Sequence, residues 1–196
     1  MEILCIVMGY LLSMFLICAV SYFKKGVSYS YLAAGCKRRG YSCNLFTVYV
    51  IVLLDRAIVA LLLYRINYLI GNPVIGRLIT NLGYFLTGVE IYYNAKIRSG
   101  VQLWHGQGTV IGQNAEVGPG CIILHQVTIG SGFVKVGSSV KIGCGAKLLG
   151  NIAIGDNCVI SANSVVTRNI SDSCLVKPDG SFRCIKPEEN LSFGTK

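Results

Sequence analysis

KVGSSVKIGCGAKLLGNIAIGDNCVISANSVVTRN, residues 135–169, puts an aliphatic side chain at every sixth position: Val136, Ile142, Leu148, Ile154, Ile160 and Val166. Upstream the same count runs through Ile91, Ile97 and Leu103, and again through Ile111, Val117, Ile123 and Ile129. A Gly often follows directly, as at Gly112, Gly130, Gly143 and Gly155, and a small residue often stands four places on, as at Ala95, Ala115, Ala146 and Ser164. A period of six matches neither the 3.6 of a helix nor the 2 of a lone strand. It suits a parallel β-helix of flat faces and tight corners, three hexads to a triangular coil, with the aliphatics stacked inside. The thirteen hexads of residues 91–169 make about four coils.

Two breaks interrupt the count. The step from Leu103 to Ile111 is eight and holds Trp104-His105-Gly106-Gln107-Gly108; the step from Ile129 to Val136 is seven and holds Ser131-Gly132-Phe133. Insertions in a solenoid emerge as surface loops, often on the working face. One of only two histidines lies in the first break.

The composition is apolar and basic together: 53% hydrophobic with a net charge of +9. Before residue 88 there are eight basic and two acidic residues, and after it ten and seven, so +6 precedes and +3 follows. A basic surface attracts anionic partners, but the aromatic and basic interleaving of a nucleic-acid reader is missing, which argues against nucleic acid. Nine scattered cysteines without a CxxC pair read as small buried hydrophobes of a reducing compartment, neither a disulfide framework nor a zinc site.

Residues 3–23 carry no charge and are followed by Lys24-Lys25 and Lys37-Arg38-Arg39. That pattern fits a helix across or on a membrane with the rest of the chain held in the cytoplasm. It equally fits a buried helix of a helical cap or an oligomer contact. Residues 45–66 form a second apolar run in which Asp55-Arg56 argues against a bilayer span and for a packed helix. Gly71-Asn72-Pro73 punctuates, and residues 74–85 read as a further helix with Arg77 on its polar side. The expected division is an apolar helical region over 1–88, the β-helix over 89–171 and a tail over 172–196.

Spacing alone predicts one file of residues. Adding eighteen per coil, plus two for the first break and one for the second, carries His105 to His125, then to Cys144 and to Ala162. Coils lie about 4.8 Å apart, so these four stack along one edge of the prism, outside the aliphatic core. Two histidines with no completing carboxylate make a poor metal site.

Residues 90–166 resemble the hexapeptide-repeat (left-handed β-helix) acyltransferases, and most closely their serine-acetyltransferase-like branch. The likeness rests on Leu103-Trp104-His105-Gly106, Val127-Thr128-Ile129-Gly130, Ile142-Gly143-Cys144-Gly145-Ala146-Lys147-Leu148-Leu149-Gly150-Asn151 and Ser164-Val165-Val166-Thr167. The resemblance implies a left-handed helix, a homotrimer with sites between neighbouring subunits, and acetyl-CoA as the donor to a hydroxyl acceptor. It places His105 as the general base and Glu90 as the carboxylate that orients it. Ser131, Cys144 and Ala162 would line the slot for the pantetheine arm, and Arg168, Lys147 or Lys177 would meet a CoA phosphate. His125 and Trp104 would stand on the acceptor side.

Three departures from that branch bear on the acceptor. Trp104 stands where an Asp is usual before the histidine, the second break is short and lacks a histidine, and the chain ends in Lys196 rather than Ile. An indole face suits stacking against a sugar ring. The expectation is therefore acetylation of a saccharide hydroxyl, in the biosynthesis of a bacterial surface polysaccharide at the cytoplasmic membrane face. Serine O-acetylation is the alternative within enzymes, and a non-catalytic β-helix scaffold is the alternative outside them.

Overall fold

The structure is a computed structural model that describes residues 55–130 and 132–184, together with Gly40. The expected membrane segment over 3–23, the end of the tail and Ser131 lie outside the described residues. Among the described residues no helix is long and apolar enough to cross a membrane.

Among the described residues two helices come first, α1 (Arg56–Ile70) and α2 (Pro73–Thr87). Asp55 and Arg56, read from sequence as charges within one apolar helix, instead mark its start. The Asp55 carboxylate caps α1 by accepting from the backbone N–H groups of Ala57 (2.9 Å) and Ile58 (3.4 Å). This satisfies donors that have no partner inside a helix. Asn72 caps α2 the same way, Pro73 opens it, and Gly88 ends it in the left-handed conformation at φ 71°. The buried positions of α2 are all small: Gly76, Thr80, Gly83 and Thr87.

Short strands then follow in threes. The first coil is β1 (Glu90–Ile91), β2 (Lys96–Ile97) and β3 (Gln102–Trp104); the second is β4 (Val110–Ile111), β5 (Glu116–Val117) and β6 (Ile122–Leu124). The third is β7 (Thr128–Ile129), β8 (Lys135–Val136) and β9 (Lys141–Ile142); the fourth is β10 (Lys147–Leu148), β11 (Ala153–Ile154) and β12 (Val159–Ile160). Every third strand pairs in parallel, so through these four coils three flat sheets run in the orders β1-β4-β7-β10, β2-β5-β8-β11 and β3-β6-β9-β12. The hexad aliphatics face inward, with Ile111, Ile123, Ile129, Ile142 and Leu148 fully buried. Each contributes about 1.5–3 kcal/mol by leaving water.

The solenoid has five coils, one more than the thirteen hexads predict. The fifth is β13 (Val165–Val166), a bridge from Ile170 to Ile154, and β14 (Cys174–Val176) paired with β12. Val166 and Ile170 are four apart rather than six, so the period breaks while the winding continues. The chain then reverses into β15 (Phe182–Cys184), antiparallel to β14, and joins Cys174 to Cys184 by a disulfide. The expectation of thiols throughout fails at this pair, because an antiparallel return sets the two cysteines opposite each other and leaves no trace in a six-residue count. Cys121 and Cys158 are buried free thiols, and burial raises the pKa of both, that of Cys121 to about 11.

The helices cover the open end of the first coil. The Tyr64 hydroxyl donates to the Ala95 carbonyl (2.8 Å) and accepts from the Ile97 N–H (3.1 Å), and Thr80 donates to the Ile91 carbonyl (3.1 Å). A parallel stack otherwise ends in unpaired backbone groups, so such caps are what make a solenoid end stable.

Candidate active site

His105 sits at the corner between β3 and β4, inside the enlarged first break. It is exposed and adopts φ 61°. The same left-handed conformation recurs at Asn114, Gln126, Ser139, Asn157 and Asn163, so it belongs to the coil corners in general and is no mark of strain at this one. The loop is held by backbone bonds. Gly108 donates to Gly88 (2.8 Å), Thr109 to Gly106 (3.0 Å), Gln126 to Gln107 (3.0 Å), and Gln107 to His105. Gly106 packs closely here: a β-carbon would stand 3.0 Å from Cγ2 of Val89 and 3.5 Å from the Ala57 side chain, so a larger residue would press on the helical cap. The helical cap and the loop thus fix each other.

The predicted file forms. Trp104 pairs with Leu124, Ile123 with Ile142, and Ile142 with Ile160, which brings His105 over His125, His125 over Cys144, and Cys144 over Ala162. The two imidazoles lie edge to face with centroids 6.4 Å apart. The His125 carbonyl accepts from the Gly145 N–H (3.0 Å), and the Nδ1 of its ring is buried with no hydrogen-bond partner among the described residues. Cys144 is half-buried with a free thiol, and Ala162 is exposed.

Glu90 opens β1 beside Val110, just past the turn that carries His105. Its carboxylate lies 3.7 Å from Nη1 of Arg77, whose guanidinium also stacks 4.9 Å over the Tyr92 ring. Among the described residues no hydrogen bond joins Glu90 to His105, and Arg77 is the partner that sequence reasoning missed. The sequence did put Arg77 on a polar helix face, but nothing in one chain says which strand that face meets. Trp104 is half-buried on β3 and donates from Nε1 to Gln102 of the same strand (3.2 Å).

At the far end of the prism, Arg168 donates to the Gly180 carbonyl (2.8 Å) and lies 5.0 Å over the Phe182 ring. With Thr167, Asp179 and Ser181 it lines a recess of about 440 Å³. Lys147 is exposed on β10, 3.5 Å from the Thr128 hydroxyl, and Lys177 is exposed on the turn after β14. Arg168 and Lys177 stand on the last coil, while Lys147 lies one coil back on β10, in register with Val165.

A stack of short parallel strands with a histidine at an enlarged corner defines a hexapeptide-repeat transferase. Residues 133–168 match the family model for bacterial transferase hexapeptide repeats (six repeats). The serine acetyltransferase of Helicobacter pylori (strain 26695) is 39% identical over 130 residues, which cover 61% of this chain and 76% of that protein. The one from Synechococcus elongatus is 44% identical over 111 residues, covering 53% of this chain and 46% of the relative, so the chain spans about half that protein's length. The crystal structure of Neisseria gonorrhoeae serine acetyltransferase in complex with serine superposes with a TM-score of 0.70 at 31% identity, over 81% of this chain and 69% of that one. The chain belongs to the serine acetyltransferase family.

These relatives overturn the saccharide acceptor and the polysaccharide pathway expected from sequence. Of the three departures that suggest a saccharide, only Trp104 offers a surface for one, and that ring donates along its own strand to Gln102. A single aromatic face does not by itself specify a sugar.

Proposed function

We propose that the chain transfers the acetyl group of acetyl-CoA to the hydroxyl of serine. The reading rests on the 39% identity, over 130 residues, to the Helicobacter pylori serine acetyltransferase. In this reading His105 is the general base. Its imidazole removes the proton of the serine hydroxyl as that oxygen attacks the thioester carbonyl, and returns it to the sulfur when the carbon–sulfur bond breaks. Glu90 orients the imidazole and stabilises its protonated form once it turns from Arg77, the shared partner that holds it in this structure. His125, one coil along the file, stands on the acceptor side with Trp104 at the rim.

The pantetheine arm is assigned to the edge past Cys144 and Ala162, because an extended chain along stacked coils needs small side chains there; Ser131, outside the described residues, is assigned to the same arm by the resemblance alone. Arg168 takes a CoA phosphate, with Lys177 near it and Lys147 as a further cation. The assembly is a homotrimer with this edge between subunits, working on the cytoplasmic side where the donor is found.

The test is release of free thiol from acetyl-CoA by the full chain with L-serine. The reading expects turnover, lost by about 10²–10⁴-fold in His105→Asn, a substitution that keeps a residue at ease in the left-handed region. Absence of turnover with serine by well-folded wild-type protein overturns it.

A further inference from the structure

The return of the chain after β14 is a strap rather than a further coil. β15 pairs antiparallel with β14, Cys174 opposite Cys184, Leu175 opposite Arg183 and Val176 opposite Phe182, and all three of its residues are exposed. β14 is a strand of the solenoid proper: it pairs in parallel with β12, and Cys174 and Val176 are buried. The strap therefore adds nothing to the aliphatic core. A two-stranded hairpin is marginal on its own. This one is closed by its turn, where Lys177 donates to Ser181 (2.8 Å) and Gly180 to Lys177 (2.9 Å), and by the Cys174–Cys184 disulfide.

The strap reaches Arg168. The Gly180 carbonyl accepts from Nη2 of Arg168 (2.8 Å), and the Phe182 ring lies 5.0 Å beneath the guanidinium. The same turn gives Asp179, Gly180 and Ser181 to one wall of the 440 Å³ recess, across from Thr167 and Arg168. Asp179 braces the turn by accepting from the N–H (2.9 Å) and the hydroxyl (2.7 Å) of Ser181. An exposed arginine gives up rotamer freedom when it grips an anion. A guanidinium already set by a ring and a fixed carbonyl has given up most of it beforehand, which favours binding.

Lasting structural disulfides are rare where thiol reductants are abundant, and those that form there are mostly redox-sensing or catalytic. Cys184 is exposed and Cys174 buried, so an incoming thiolate meets Sγ of Cys184.

We infer that the Cys174–Cys184 disulfide is a redox switch on donor binding: closed, it holds the strap that aims Arg168 into the recess, and opened, it frees the strap and weakens the grip on acetyl-CoA. The inference rests on the assignment of Arg168 to a CoA phosphate. Opening is thiol–disulfide exchange with a dithiol reductant. One thiolate of the reductant bonds to Sγ of Cys184 as the bond between the two cysteines breaks, and the Cys174 thiolate takes up a proton. The second thiol of the reductant then displaces Cys184, which leaves as a thiol, and the reductant departs as its own disulfide. Two electrons pass to the protein, and closing is the reverse reaction with the disulfide form of such a dithiol as oxidant.

Calorimetric titration of acetyl-CoA into the full chain, without serine, tests the switch apart from turnover. Wild-type protein whose Cys174–Cys184 bridge is verified by mass spectrometry of a non-reducing digest is compared with the same protein reduced by a trialkylphosphine, with Cys184→Ser and with Arg168→Gln. Reduction and Cys184→Ser are expected to weaken binding alike, by about three- to tenfold, and Arg168→Gln by about tenfold. Reduction should add nothing in Arg168→Gln, because the two changes act through one contact, and nothing in Cys184→Ser, because no other bridge is involved. Fourth-coil amides should keep their protection against hydrogen exchange on reduction while residues 177–184 lose theirs, which separates an opened strap from a loosened solenoid. Binding weakened by Arg168→Gln and untouched by reduction overturns the switch and leaves the role of Arg168 standing. Binding untouched by Arg168→Gln, or absent from the wild type, overturns that role and the switch with it. Tighter binding on reduction overturns the inference too, since the strap would then compete for Arg168. The expected shifts in a protein that does not turn over serine support the switch and count against serine as the acceptor.

Discussion

Cys121, Cys144 and Cys158 have the same functional group in two environments. Cys121 and Cys158 point into the solenoid, and Cys121 bonds the Gly137 carbonyl while burial raises its pKa to about 11. Cys144 stands on the outer edge, half-exposed, directly below His125. Thiolate and access together control alkylation. Iodoacetamide at neutral pH, read by mass spectrometry of the tryptic peptides, is expected to label Cys144 well before Cys121 and Cys158. Acetyl-CoA is expected to slow that labelling if the pantetheine arm runs along this edge. Equal labelling of all three in folded protein contradicts the placement of the file. The file itself was legible from arithmetic alone, because parallel register in a solenoid is fixed by repeat length and insertions. The Arg77–Glu90 pair was not legible, because it depends on how a helix docks on a strand, and no period encodes that.

The helices and the first coil form a joint in which a few polar atoms matter more than area. Tyr64 is 3% exposed, and its hydroxyl serves the Ala95 carbonyl and the Ile97 N–H at once. In Tyr64→Phe the ring packing survives while both bonds are lost, and the carbonyl stays buried without this donor. The expected cost is about 1–3 kcal/mol in chemical denaturation. Protection of the first-coil amides against hydrogen exchange should fall while that of the fourth coil holds. A uniform loss along the whole solenoid, or no loss anywhere, contradicts the capping role. Sequence alone placed the helix and misread its start: adjacent charges in an apolar run look like an interruption until Asp55 is seen to turn its carboxylate onto its own helix. The residue was visible and its direction was not.

Across the whole molecule, stability is shared between neighbouring coils, since each coil touches only the one above and the one below. The inward period declared this architecture plainly, and it declared four coils rather than five because Val166 to Ile170 shortens one side by two residues. A shortened side changes the count without changing the winding, so the last coil is structurally a coil and statistically a tail. Its place at the end predicts a difference in energetics. Leu148 is fully buried with a coil on either side, Ile129 and Val166 being its register partners. Val176 is in register with Ile160 on one side, and on the other only with the antiparallel Phe182. Leu148→Ala is expected to cost about 3–4 kcal/mol, lost transfer energy plus a cavity that a stacked core closes poorly. It should also lower the urea m-value, because cutting the middle of a one-dimensional array separates its halves. Val176→Ala removes less surface beside a coil end that relaxes more readily, and is expected to cost about 1–2 kcal/mol with the m-value unchanged. Equal costs with equal m-values for the two variants would mean that the array folds as a single block, with no weaker end.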